Sequence, residues 1–267
     1  MPIATINNHQ MHYEVHGSGK PAVYIGGWDT FCHGREHFLA RGITDDHQVL
    51  IVDYRGIGES DDDPSVPATT ELHADDMIAL LDHLGWQEVY FIGLVGIGAC
   101  IGHWVALKRP DLVRCMVNMG CWVHADKTLT DILNGFGNIH KHAGFAAFQE
   151  MVAAMSFRPD YYEVNRDKLL GPSGVWGALN GRLEAHLRFI DACNTHDIRD
   201  RLGEITCPTL VVHAGRDTIT GPWSTLPLEQ GLPNAEGVTM DEVAHVVAGK
   251  AEKIAFNELL FPFLARH

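Results

Sequence analysis

Basic residues are scarce in this chain: 20 Lys and Arg stand against 34 Asp and Glu, a formal net charge of −14. Nucleic acids and anionic membranes draw much of their affinity for proteins from clustered cations, and no such cluster occurs, so neither is an expected partner. No apolar run reaches the roughly 18 residues a spanning helix needs. The opening MPIATINNHQ also lacks the charged start and apolar stretch of a signal peptide. A cytoplasmic protein is the expectation. The six cysteines include no C-x-x-C pair, which in a reducing compartment predicts free, buried thiols. Histidines are plentiful, seventeen in all. The sets His9, His12, His16 and His33, His37 nevertheless lack matching Cys or carboxylate partners at ligand spacing, so no metal is expected, and no cofactor is implied either. Nothing in the sequence decides between a monomer and a homodimer.

What is present is enough apolar material for a large core: 46% of 267 residues are hydrophobic. Two short alternating segments, around 3–7 and 10–15, flank Asn7-Asn8 and predict a hairpin. Apolar runs at 21–25, 48–52, 89–92 and 112–119 predict buried strands, and the strand pattern resumes at 209–214 and at about 236–240. Between them, Leu72, Met77, Ile78, Leu80, Leu81 and Leu84 recur at helical spacing before Gly85. A helix running to about Lys108 is stopped by Arg109-Pro110, and a final helix spans 248–264. Strands apolar on both faces, alternating with helices, define an α/β fold with a mostly parallel sheet. Residues 123–205 break this rhythm: 140–157 and 176–193 read as helices with no strand between them. The expected organisation is a core of 1–122 and 206–267 with a helical cap, 123–205, inserted in it.

Four landmarks appear in fixed order along this frame. They are Gly26-Gly27-Trp28, Asp53-Tyr-Arg-Gly-Ile-Gly-Glu-Ser60, Gly215-Arg-Asp217 and Ala244-His245. In that order they resemble the α/β-hydrolase superfamily along nearly the whole chain, the second matching its D-x-R-G-x-G-x-S turn. The resemblance implies that Asp217 is the acid, His245 the histidine, and Gly27-Trp28 the first oxyanion loop. It also implies a nucleophile on a strained strand-to-helix turn, G-x-S-x-G. The matching segment here is Gly93-Leu-Val-Gly-Ile-Gly-Ala-Cys100. Counted forward from Gly93, Val95 takes the nucleophile's place; counted back from Arg109-Pro110, Gly96 does. Neither side chain offers a lone pair, and covalent catalysis needs one. Cys100 formally completes a G-x-C-x-G, as in the dienelactone-hydrolase branch, but its distance from the strand end predicts a buried thiol on the helix.

An imidazole oriented by a carboxylate remains a general base, and an oxyanion hole needs only backbone N–H groups, here from Trp28 and from Gly96 or Ile97. The expected activity is non-covalent acid–base chemistry, by water activation or C–C/C–O cleavage, on a small carbonyl, ester or lactone. Trp28, Phe31, Trp122, Phe145, Phe157 and Trp176 are candidates to line an aromatic pocket for an apolar or aromatic substrate, with Trp122 placed at the site itself. Two other readings stand beside this one. The cofactor-independent dioxygenases of this fold abstract a proton without serine attack, and hydrolase-like proteins of the N-myc downstream-regulated family bind without catalysis.

Overall fold

A computed structural model describes residues 2–267. Its centre is one eight-stranded sheet in the order β1-β2-β4-β3-β5-β6-β7-β8. The strands are β1 (Ile3–Ile6), β2 (His9–Gly17), β3 (Lys20–Ile25), β4 (His47–Val52), β5 (Val89–Gly93), β6 (Val113–Met119), β7 (Thr209–Ala214) and β8 (Ala235–Met240). β1 and β2 form the expected hairpin. Asn7 and Asn8 at its turn have φ of 41° and 61°, the left-handed pair that a two-residue hairpin turn demands. β2 runs antiparallel to β4, and β4, β3, β5, β6, β7 and β8 are mutually parallel. All residues of β5 and β7 are buried, as strands covered by helices on both faces must be. Their side chains divide between two apolar clusters, one on each side of the sheet.

The helices are α1 (Ile43–Asp46), α2 (Thr70–Leu84), α3 (Ile97–Lys108), α4 (Lys127–Ala143), α5 (Phe145–Ser156), α6 (Pro159–Leu169), α7 (Leu183–Asn194), α8 (Pro222–Gly231) and α9 (Lys250–Arg266). α2 stops at Gly85 as predicted and is capped at both ends: Thr69 Oγ1 accepts from Leu72 N, and Gly85 donates to the Leu81 and Asp82 carbonyls.

Between β6 and β7 the chain is helical but differently divided from expectation. Helix begins at Lys127, capped by Asp126, which accepts from Leu129 N. α6 fills a stretch with no predicted helix, and the predicted helix from 176 starts only at Leu183. Pro172, Gly174 and Gly177 break the chain there, leaving a short 3-10 turn at Gly177–Leu179. The outgoing and returning chains meet where they join the sheet, with Ile198 N donating to Val123 O at 2.9 Å.

Candidate active site

The parallel strands all point their C-terminal ends one way, and the loops leaving those ends gather one group of residues. Asp217 lies between β7 and α8, and His245 between β8 and α9. Their meeting is direct: His245 Nδ1 is 2.8 Å from Asp217 Oδ2. The carboxylate's other oxygen, Oδ1, accepts from Ile219 N at 2.7 Å and Thr220 N at 2.9 Å. Burial works to raise the Asp217 carboxyl, but the charge and hydrogen bond of His245 and the two backbone donors outweigh it and hold it below its ordinary value. Thr220, not foreseen from sequence, puts its hydroxyl 2.9 Å from Asp217 Oδ2 and 3.0 Å from His245 Nδ1. The signal available was Asp217-x-x-Thr220, an Asp followed by residues whose N–H groups can turn back onto it. With Nδ1 engaged, Nε2 is the imidazole nitrogen left for chemistry.

The strand-to-helix turn opposite is tightly built. A Cβ on Gly98 would lie 2.8 Å from the carbonyl oxygens of Ile25 and Gly26, and one on Gly93 would lie 2.6 Å from Ala99 Cα. Only glycine lets α3 approach the sheet this closely. Val95 has φ +54°, a left-handed conformation unusual for a β-branched residue. Gly96 follows with φ +86°, ψ −107° and immediately precedes α3. Among the described residues, none accepts a hydrogen bond from the N–H of Trp28, Gly96 or Ile97, so three backbone donors stand free.

A small cavity of about 40 Å³ brings together Gly27, Trp28, Val95, Gly96, Ile97, Trp122 and His245, with Leu133, Phe136, Val152, Trp176, Cys193, Ile219 and Thr220 completing its wall. Every residue expected at the site lines it except Asp217, which sits behind His245. The buried Trp122 Nε1–H has no partner. Gly27, Trp28, Val95 and Trp176 also belong to the wall of a larger, mostly apolar cavity of about 210 Å³, lined further by Phe31 and Phe157. Of the six aromatic candidates, Phe145 lines neither and packs on His140 and Phe148. Asp29 holds the Gly27-Trp28 loop to the helical segment, its Oδ2 accepting from Trp176 N and from Arg35, both at 2.8 Å.

Cys100 is one turn into α3, wholly buried, and outside both cavities. Burial drives its thiol well above the ordinary range. The D-x-R-G turn is structural: Asp53 binds His12 and His33 at 3.0 and 2.6 Å, and Arg55 forms a two-point ion pair with Asp76. No helix among the described residues is long and apolar enough to cross a membrane.

This sheet order, with an acid and a histidine on successive C-terminal loops, defines an α/β hydrolase. Residues 15–249 match the model of the alpha/beta hydrolase fold family, and the chain belongs to it. Among named relatives, the putative carbamate hydrolase RutD of Pseudomonas savastanoi pv. phaseolicola is 30% identical over 83% of this chain and 85% of its own. RutD of Azorhizobium caulinodans is 28% identical over 98% of both. A 2-hydroxy-6-oxononadienedioate/2-hydroxy-6-oxononatrienedioate hydrolase of Cupriavidus pinatubonensis is 28% identical over 94% of this chain and 85% of its own. The enol-lactonase structure from Burkholderia xenovorans superposes with a TM-score of 0.84 at 21% identity, covering 99% and 100% of the two chains, a likeness of fold.

Proposed function

We propose that this chain is a hydrolase that activates water directly and forms no acyl-enzyme. His245 Nε2 takes a proton from water as the water oxygen bonds to the substrate carbonyl carbon. Asp217 stabilises the imidazolium through Nδ1, and the N–H groups of Trp28 and Ile97 receive the oxyanion. When the tetrahedral intermediate collapses, the C–O or C–N bond to the leaving group breaks and His245 returns the proton to the leaving atom.

One juxtaposition supports this reading: the hydrogen-bonded Asp217, Thr220 and His245 share a cavity with turn residues, Val95 and Gly96, whose side chains hold no attacking atom. Gly96 is taken as the nucleophile's counterpart because it directly precedes α3 in a conformation open to glycine. Ile97, the next residue, then supplies the second oxyanion donor. The helical segment 123–205 is read as a cap, since Leu133, Phe136, Val152 and Trp176 close the cavity from that side.

Both cavities are small beside the roughly 300–1,000 Å³ of ordinary ligand sites, which favours a compact, largely apolar carbonyl compound. Esters and lactones fit this description, and the relatives' names add carbamates. Trp122 Nε1 is a free donor for a polar substituent.

The test is single-turnover hydrolysis of a panel of small aryl carbamates, enol esters and lactones in ¹⁸O-water, with intact-mass analysis of the quenched protein. Expected are one labelled oxygen in the product, no adduct on the protein, and loss of turnover in His245→Ala. A covalent adduct on any residue, or full activity without the imidazole, would exclude this mechanism. Oxygen uptake with carbon monoxide release from an aromatic hydroxyketone would favour oxygenation instead.

A further inference from the structure

Next to Trp122, whose ring lines the small cavity, the fold collects a second set of side chains. Cys100 and His103 are three residues apart and share one helix face, and His196 reaches them from the segment after α7. One ligand-type atom from each lies within 4.8 Å of the other two, and all three residues are buried. We infer that Cys100, His103 and His196 form a binding site for a single copper(I) ion, distinct from the His245 cavity.

The strongest sign is polar capacity left unused. His103 Nε2 is 3.1 Å from the Asn118 amide, and His196 Nδ1 is 2.9 Å from Thr70 Oγ1. The second nitrogen of each ring, His103 Nδ1 and His196 Nε2, makes no hydrogen bond of good geometry although both residues are at most 1% exposed; the Trp122 backbone is a polar group beside the His196 ring. Buried nitrogens without partners are costly, and each calls for an explanation such as an ion. Cys100 Sγ has only a long contact, 3.8 Å, with the Trp122 carbonyl.

The engaged nitrogens look like the outer contacts that orient metal-binding imidazoles. Thr70 Oγ1 accepts from Trp104 Nε1 at 3.1 Å, and its second lone pair can accept His196 Nδ1–H, which frees Nε2. Asn118 Oδ1 is likewise unpartnered. With the amide turned over, that oxygen accepts from His103 Nε2–H, which frees Nδ1.

Charge selects the ion. A thiolate, two neutral imidazoles and Cu⁺ sum to zero, whereas Zn²⁺ would leave a net positive charge in a buried site, and no carboxylate bonds either histidine. A trigonal Cys-His₂ set with a carbonyl oxygen near the axis also suits copper. Trigonal bonds of about 2.0–2.3 Å would put the ligand atoms about 3.5–3.7 Å apart, so the cluster, whose atoms lie within 4.8 Å of one another, has to close by at most about 1 Å. Binding replaces the thiol proton, released to solvent, and involves no redox step.

The experiment uses the full chain, reduced and metal-free, titrated anaerobically with Cu⁺ against a chromogenic Cu⁺ chelator, with Zn²⁺ titrated in parallel. One Cu⁺ per chain is expected, with X-ray absorption reporting one sulfur and two nitrogen neighbours. Cys100→Ser and His196→Gln should each weaken binding at least about 100-fold. His33→Ala, which alters the separate His12, His33, Asp53 group, should leave it unchanged. The site is disproved if no ion binds in stoichiometric amount, if the two ligand variants bind as wild type does, or if the wild-type spectrum lacks sulfur. Tighter binding of Zn²⁺ than of Cu⁺ would overturn the assignment of the ion. Should a variant fail to fold by circular dichroism, the wild-type spectrum alone decides.

Discussion

The Thr220 hydroxyl has one proton, and the 2.9 Å approach to Asp217 Oδ2 is where it is best spent. Its oxygen then faces the His245 Nδ1–H, which also reaches the same carboxylate oxygen. The ring is thus fixed from two sides, and Nε2 is aimed by geometry that Asp217 and His245 do not supply alone. Thr220→Val keeps the shape and removes the bonds. A fall in kcat of about tenfold is expected, the worth of one buried hydrogen bond, with little change in KM; an unchanged kcat would deny the hydroxyl any aiming role. His245→Ala should cost between about 10² and 10⁴ in kcat/KM on any substrate that the wild type turns over. Asp217 also carries a stability term. Its carboxyl is held below its ordinary value of 3.8, so the stabilisation is complete above that pH and is lost as pH falls through the lower folded value. Asp217→Asn should therefore unfold in less denaturant than wild type at pH 7, with the gap closing below about pH 4. Gly96→Ser tests the register of the turn: at this positive φ its Cβ would meet the edge of the Trp122 ring at 3.2 Å and, at ordinary contact distance, the Gly120 carbonyl oxygen at 3.6 Å. Labelling of that serine by a fluorophosphonate is expected, and labelling of Val95→Ser but not Gly96→Ser would move the counterpart to Val95.

At the scale of elements, the β5-turn-α3 unit sets the position of Val95, Gly96 and Ile97 in the cavity, and its glycines make it brittle. Gly98→Ala would drive a methyl group into two carbonyl oxygens of the Ile25-Gly26 backbone, atoms that cannot move without shifting β3 and the Gly27-Trp28 loop. A loss of at least about 1–3 kcal/mol is expected, read as a lower denaturant midpoint together with lower activity. Ala at Gly135, where nothing lies within 4 Å, is the control. The elements around this unit were legible because each carried a strong local pattern: three or four consecutive apolar residues in β3, β4, β5 and β7, and a capped 3.6-residue repeat for α2. Asp217 and His245 were picked out by the Gly215-Arg-Asp217 and Ala244-His245 landmarks and not by strand pattern, since β8, which precedes His245, has no apolar run. α6 was not, because its exposed faces leave almost no apolar stripe: only Leu169 is buried, and Val164 is 81% exposed. α8 escaped for another reason, as Pro222 and Pro227 both lie within it and proline usually reads as a break. The Cys-His-His group was invisible because His196 joins Cys100 and His103 only through the folded return of the helical segment.

The whole molecule places many histidines where water cannot reach them, and this has a pH consequence that no single element reveals. Burial pushes His73 down to about 4, its neighbours making smaller and opposing contributions. It pushes His186 down to about 3, with His140 adding to the effect. In the unfolded chain both would titrate near 6.5. Between those values the unfolded state binds more protons than the folded one, so stability rises with pH across the window. The contribution is therefore fully present above pH 6.5 and is lost as pH falls toward 4. Each such group loses about 1.4 kcal/mol per pH unit below 6.5, or about 2 kcal/mol by pH 5. Urea unfolding at pH 7 and pH 5 should accordingly show a marked fall in midpoint, well above the range in which most carboxylates titrate. His186→Leu removes one titrating group. It also leaves the His140 ring nitrogen without its partner at 2.9 Å, a cost present at both pH values. The variant should start less stable at pH 7 and lose about 2 kcal/mol less than wild type on going to pH 5. Equal losses in the two proteins would mean that His186 is charged in the folded state, against the burial that surrounds it.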